Sequence, residues 1–162
     1  MRDEAATVGL RAIRESDLEL FFLHQREPDA VAMALFPARE REPFRVHWIK
    51  NILANPQVHA RTITYGDEVC GNVLSFPRDG LRLVGYWIGK EYWGRGIASA
   101  ALGAFIDEEV ERPLHAFVAT SNLGSIRVLE KCGFYNVGLR REFDEALGHD
   151  VEEALMRLDC IE

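Results

Sequence analysis

The chain has 162 residues, 48% of them hydrophobic and 28% charged, and carries a net charge of −7 at pH 7. That length suits a single domain, residues 1–162, able to bury about two-thirds of its unfolded surface around one core. No apolar run approaches the roughly 20 residues that span a bilayer, and no Lys/Arg cluster makes a stripe that could track a phosphate backbone, which argues against membrane and nucleic-acid partners. The opening MRDEAATVGLR lacks an apolar leader core, and Cys70, Cys132 and Cys160 are odd in number and widely spaced. Both features suit reduced thiols, and the cytoplasm is the expected compartment.

The residues then read as alternating short strands and helices, with no repeat or linker. VGLRAI (8–13) is a strand. Ser16 opens SDLE, a capping-box pattern in which Ser16 accepts from the Glu19 backbone N–H, at the head of a helix carrying Leu18, Phe21, Phe22 and His24. After a Pro- and charge-rich passage, a second amphipathic helix is predicted from about Phe44 to Leu53, with Val46, Ile49 and Leu53 on its apolar stripe, ending before Asn55-Pro56. VHARTITY (58–65), VCGNVLSF (69–76) and LRLVGYWI (81–88) are strands divided by turn-forming sequences, which predicts an antiparallel meander. A broad apolar helix follows, with Ile97, Ala101 and Phe105 flanked by Leu102, Ile106 and Val110, and stops near Arg112-Pro113. LHAFVAT (114–120) is a strand, and SNLGSIRVLEKCG (121–133) is a short helix closed by Gly133 in a left-handed cap. FYNVGLRREF and HDVEEALMRL form a hairpin around Asp144 to Gly148. The order β-α-α-β-β-β-α-β-α-β-β is that of an α+β chain in three layers.

Gly94-Arg95-Gly96 stands between a strand and a helix, where unpaired N–H groups gather at the positive end of the helix dipole. Glycine there lets an anion approach the backbone, or simply makes a tight turn. A nucleotide-triphosphate loop would continue Gly-Lys-Ser/Thr, but Ile97-Ala98-Ser99 follows. A dinucleotide fingerprint needs a glycine where Ser99 stands and an acidic residue at the end of the next strand, and neither is present.

Residues 85–134, from GYWIGKEYWGRGIASAAL through SNLGSIRVLEKCGF, resemble the GNAT acetyltransferases, especially the branch that acetylates the N-termini of ribosomal proteins. The resemblance implies a twisted, mixed but mostly antiparallel sheet of about six to seven strands with flanking helices. It maps that family's pyrophosphate-cradling pattern onto Glu91-Tyr92-Trp93-Gly94-Arg95-Gly96, and its second signature onto Asn122, Ser125 and Gly133-Phe134. Acetyl-CoA is the implied acetyl donor, gripped by backbone N–H groups from Gly94 through Ile97 and Ala98 to Ser99. Glu91 departs from the family's Gln or Arg and is expected to face solvent, where its charge would not oppose a phosphate. Arg95 either adds positive charge or is a solvated surface residue.

The resemblance further implies that the strand at Tyr86-Trp87-Ile88 splays from the strand at 114–120. The pantetheine arm would lie in the gap, with Asn122 and Ser125 facing it and Ser125 donating the proton to the departing thiolate. Ser125 could equally satisfy backbone N–H groups in the first helical turn. The tyrosine that many members carry four residues later is replaced by Leu129, and Tyr135 is expected to pack on the sheet. For the base, the resemblance points to Asp144, with Glu142 beside it on the same strand face, although either could be an exposed hairpin residue. His115 and His149 are bases by chemistry alone.

An α-amine with a pKa of about 8 needs roughly 1.4 kcal/mol to be neutral at pH 7, and a lysine-like amine near 10.4 about 4.6 kcal/mol. With no strong base evident, a peptide N-terminus or another low-pKa amine is the favoured acceptor; lysine-like amines stay open because an acidic pocket mouth would attract them. A small molecule such as an aminoglycoside or polyamine is the leading variant, since the first two helices and residues 36–47 carry no readable specificity. The alternative is a non-catalytic acyl-CoA-binding regulatory module. The five histidines show no metal-ligand spacing, so no metal is expected, and the chain is taken as a monomer or homodimer.

Overall fold

The computed structural model describes residues 7–35, 38–145 and 147–159. Seven strands and five α-helices follow in chain order: β1 (Val8–Arg11), α1 (Asp17–Arg26), α2 (Pro28–Ala34), α3 (Arg41–His47), β2 (His59–Tyr65), β3 (Glu68–Arg78), β4 (Leu81–Ile88), α4 (Ile97–Glu108), β5 (Leu114–Ala119), α5 (Leu123–Lys131), β6 (Tyr135–Asp144) and β7 (His149–Leu158). They build one sheet in the order β1-β2-β3-β4-β5-β7-β6. Every neighbouring pair is antiparallel except β4 and β5, which run parallel. This is the mixed, mostly antiparallel sheet with flanking helices that the family resemblance implies. No helix among the described residues is long and apolar enough to cross a membrane.

Strand alternation sends side chains to two cores, one on each face of the sheet. Val84 and Ile88 of β4 join Ile97, Leu102 and Phe105 of α4 and Leu129 of α5 on one side. Leu74 of β3 faces the other way, toward Phe21 and Phe22 of α1 and Phe44 of α3. Phe21, Phe22 and Phe105 are almost wholly buried, and truncating any of them to alanine would cost about 3–5 kcal/mol.

The sequence reading differs from the structure at four local places. Ser16 adopts helical angles and its side chain caps nothing; Asp17 instead reaches back along the chain, its Oδ2 accepting the Arg14 N–H at 2.9 Å. The Pro-rich passage contains α2, entered at Pro28 with the Glu27 carboxylate accepting the Asp29 N–H. The 44–53 segment is α3 followed by a π-helical stretch, Trp48–Leu53, and its buried residues are Phe44, Trp48 and Ile52, while Val46 and Leu53 are exposed. The aromatic rings bury more apolar area than the aliphatic stripe would, and the wider π turn shifts the phase. The apolar helix ends at Glu108, leaving Val110 in solvent.

Candidate active site

A wedge opens in the middle of the sheet. Strands β4 and β5 pair only at Arg82–Leu114 and Leu83–His115, then part. Their paired end is pinned by the buried Glu109 carboxylate just beyond α4, which accepts the Ser75 hydroxyl and pairs with Arg82 Nη2 at 3.1 Å. With one end fixed, β4 from Val84 to Ile88 is left without a strand partner on its β5 side.

A cavity of about 530 Å³ occupies the wedge. Its walls are Tyr86, Trp87 and Ile88 of β4, the turn carrying Gly94 and Gly96, the first turn of α4, and Asn122, Ser125, Arg127 and Lys131 of the α5 region. Gly94 and Gly96 have φ of +76° and +75°, and a Cβ built on either would meet no atom within 4 Å, so both face open space. Only glycine holds that left-handed conformation without strain. Gly96 is also the N-cap of α4, and no side chain caps the helix. Its first ladder bond runs from the Ala100 N–H to the Gly96 carbonyl at 3.2 Å, which leaves the N–H groups of Ile97, Ala98 and Ser99 outside the ladder.

Trp87, Ile88, Gly94, Gly96, Ile97, Ala98, Ser99, Asn122 and Ser125 thus share one cavity, whereas Arg95 does not line it. The Arg95 guanidinium instead lies over the Tyr65 and Tyr92 rings, 5.7 and 5.8 Å from their centroids. Glu91 is exposed. The positive charge comes from Arg127 and Lys131, four residues apart on one face of α5, neither of which pairs with a carboxylate among the described residues. That i, i+4 spacing was visible in the sequence but was not singled out there.

Asn122 is the N-cap of α5, its Oδ1 accepting the Ser125 N–H at 3.2 Å. The Ser125 hydroxyl lies 2.6 Å from the Tyr86 hydroxyl, and burial, partly opposed by that hydrogen bond, pushes the Tyr86 phenol up to about 12. The Tyr86–Ser125 contact was missed because nothing local in the sequence signals a contact across 39 positions. Cys132 packs behind the site, its Sγ 3.6 Å from the Ser99 carbonyl, and burial pushes the thiol up. Cys70 and Cys132 are free thiols, and Cys160 lies outside the described residues.

Other named residues stand elsewhere. Asp144 closes the β6–β7 turn, its Oδ1 accepting the Leu147 N–H at 3.0 Å, and Glu142 is exposed on β6; neither lines a described cavity. His115 is buried on β5, where burial and then Arg157 depress its pKa, and His149 is exposed on the hairpin. Tyr135 is half-exposed and donates to Asp159 rather than packing into the sheet. Among the described residues, no group of three or more His, Cys, Asp or Glu side chains is placed to hold a metal.

A second cavity, of about 240 Å³, lies on the opposite face of the sheet between α1, α3 and strands β3 and β4. It meets the first at Tyr86 and Trp87, which line both. His47 borders it; burial, then Arg39, lowers the His47 pKa, so the ring is neutral at pH 7.

Comparison with known proteins agrees with this architecture. The uncharacterized N-acetyltransferase p20 of Bacillus licheniformis is 30% identical over 99 residues, covering 57% of this chain and 56% of that protein. The chain spans about half the length of the curated relatives it matches. Spermidine N-acetyltransferase from Vibrio cholerae, solved with CoA and spermine, superposes with a TM-score of 0.80 at 17% identity, covering 94% of this chain and 95% of that one. RimL, a ribosomal L7/L12 α-N-protein acetyltransferase solved with coenzyme A, gives 0.74 at 22% identity, covering 92% and 93%. These two likenesses speak to the fold alone. Residues 7–135 match the acetyltransferase (GNAT) domain, and the chain belongs to that family.

Proposed function

We propose that the chain is an acetyl-CoA-dependent N-acetyltransferase that moves the acetyl group directly onto a primary amine. The observation that carries this reading is the wedge itself, with an uncapped helix start behind two left-handed glycines at one end and the Tyr86–Ser125 hydroxyl pair at the other. The residues fit the coenzyme: a Cβ on Gly94 or Gly96 would project into the cradle, the free N–H groups of Ile97 to Ser99 suit a diphosphate, and Arg127 and Lys131 add charge. When bound, the coenzyme supplies an acetyl thioester.

The residues of this chain then have separable tasks. The unpaired edge of β4 at Tyr86 to Ile88 lines the thioester arm, and the first turn of α4 anchors the phosphates. The amine enters from the second cavity across Tyr86 and Trp87. Its nitrogen lone pair forms the new C–N bond as the C–S bond breaks, with the electron pair leaving on sulfur. Ser125 gives its proton to that sulfur and is resupplied by Tyr86, which draws on solvent. The surplus proton of the amine passes to the neutral His47 ring, or through water to the hairpin carboxylates Asp144 and Glu142. The products are an N-acetylated amine and free CoA thiol, so atoms and charge balance.

An α-amine or a similarly weakly basic small amine suits a site whose cavities have no carboxylate on their lining among the described residues. Free Cys70 and Cys132 suit a reducing compartment, and the cytoplasm is part of the reading. Thiol release from acetyl-CoA across a panel of amines, set beside calorimetric titration with CoA, tests the proposal. Turnover with at least one amine supports it, and tight CoA binding without turnover of any amine would leave a binding module instead.

A further inference from the structure

The second cavity has a distinctive chemical lining. Phe21, Phe44, Trp48 and Trp87 supply aromatic walls, with the Phe21 and Trp48 ring centroids 5.0 Å apart. Two polar groups on it are uncommitted. Asn72 on β3 is only 6% exposed, yet its side-chain amide makes no hydrogen bond to a described residue. In the sheet register Asn72 lies directly beside Trp87, where the two cavities meet. An amide on the cavity wall without a protein partner has its donors and acceptor available to whatever fills the cavity.

Arg39 is the second. Its backbone is clamped to α1, the Gln25 Oε1 accepting the Arg39 N–H at 2.8 Å and the Gln25 Nε2 donating to the Arg39 carbonyl at 3.0 Å. Its guanidinium pairs with no carboxylate among the described residues. Among the described residues no Asp or Glu lines this cavity, and the permanent charge on its lining is that of Arg39. A polycation would meet repulsion there, whereas a carboxylate would gain a charge-assisted, bidentate partner.

Resting on the acetyltransferase reading, we infer that the acceptor is a small amine bearing a carboxylate on an apolar body about the size of one aromatic ring. Arg39 pairs with the carboxylate, the aromatic walls enclose the body, and the Asn72 amide oxygen accepts an N–H of the amine beside the thioester. The modest volume, about 240 Å³, favours a small molecule over a folded protein's terminus.

The test uses two matched pairs that differ in the spacing from amine to carboxylate: L-phenylalanine with L-phenylalaninamide, and para-(aminomethyl)benzoate with its carboxamide. Spermidine and a neutral tetrapeptide complete the panel. Binding is read by quenching of tryptophan fluorescence with CoA present, because Trp48 and Trp87 line the cavity, and turnover by thiol release. The expected result is tighter binding of at least one carboxylate than of its carboxamide by tenfold or more, a ratio that falls to about one in Arg39→Gln. Asn72→Leu, close in volume, should weaken binding of both members of that pair about tenfold. Stronger binding of spermidine or the tetrapeptide, no preference in either pair, or a preference that survives Arg39→Gln overturns the inference. Because binding is read separately, failure of all turnover with the carboxylate preference intact would sink the acetyltransferase reading and leave the carboxylate-binding site alone standing.

Discussion

The hydroxyls of Tyr86 and Ser125 stand 2.6 Å apart across the wedge, one on a strand and one on the helix that faces it. Either can be the donor, and burial holds Tyr86 protonated up to about pH 12. The pair is therefore a proton source over any practical assay range. Ser125→Ala should lower kcat about a hundredfold with little change in the KM for acetyl-CoA, and Tyr86→Phe should do so to a similar or smaller degree. Any alkaline decline of kcat that sets in below pH 10 should persist in Tyr86→Phe, since the tyrosine does not ionise there. Unchanged kcat in both variants would remove the pair from the chemistry.

The glycine turn allows stability and binding to be separated. A Cβ at Gly96 meets no atom, so Gly96→Ala carries only the left-handed backbone penalty of about 1–2 kcal/mol. The same methyl would intrude where phosphate oxygens approach the N–H groups, so CoA affinity should drop at least tenfold. Urea midpoints and calorimetry measure the two effects independently. A folded Gly96→Ala variant that binds CoA as tightly as the parent would place the coenzyme elsewhere.

How much of this could be read in advance follows from how far each interaction reaches along the chain. The meander, the last hairpin and the helix after Gly96 are set by neighbours in sequence, through turns and alternation, and their limits agree within a few residues. The backbone of the proposed phosphate cradle is equally local, supplied by Gly94, Gly96 and the following turn. The Tyr86–Ser125 pair and the Arg39–Gln25 clamp depend instead on how α5 and α1 dock on the sheet. No periodicity encodes such docking. The same reason defeated the Ser16 cap, because Asp17 is recruited by Arg11 and Thr62, which lie on other elements.

That Asp17 cluster has its own pH signature. Burial alone would raise the Asp17 pKa, but Arg11, bidentate at 2.8 and 2.9 Å, the Arg14 N–H and the Thr62 hydroxyl outweigh it and hold the carboxyl at about 2. A depressed folded pKa contributes stability that is fully present above the unfolded value of 3.8 and is lost as pH falls toward 2. The shift corresponds to about 2 kcal/mol. Asp17→Asn should therefore destabilise the protein by about 2–3 kcal/mol at neutral pH, and the gap to the parent should narrow steadily in denaturation curves taken between pH 5 and pH 2. A gap that stays constant over that range would show that the carboxylate charge contributes nothing.

The route of the amine proton separates two sets of residues. His47 borders the acceptor cavity, its Nδ1 standing 3.0 Å from the Asn51 Nδ2. Because burial and Arg39 lower its pKa below the ordinary 6.5, the ring is already a base at neutral pH, and it should lose that capacity only in more acidic buffer. The kcat/KM profile of the parent should thus have an acid limb lying below the 6.5 of an ordinary imidazole. In His47→Gln that limb should flatten, with the plateau lowered about tenfold to a hundredfold. Asp144→Asn and Glu142→Gln act only through water and should cost less, with Asp144→Asn also loosening the turn that its Oδ1 holds at Leu147. An acid limb that survives His47→Gln and disappears in Asp144→Asn or Glu142→Gln would assign the proton to the hairpin instead.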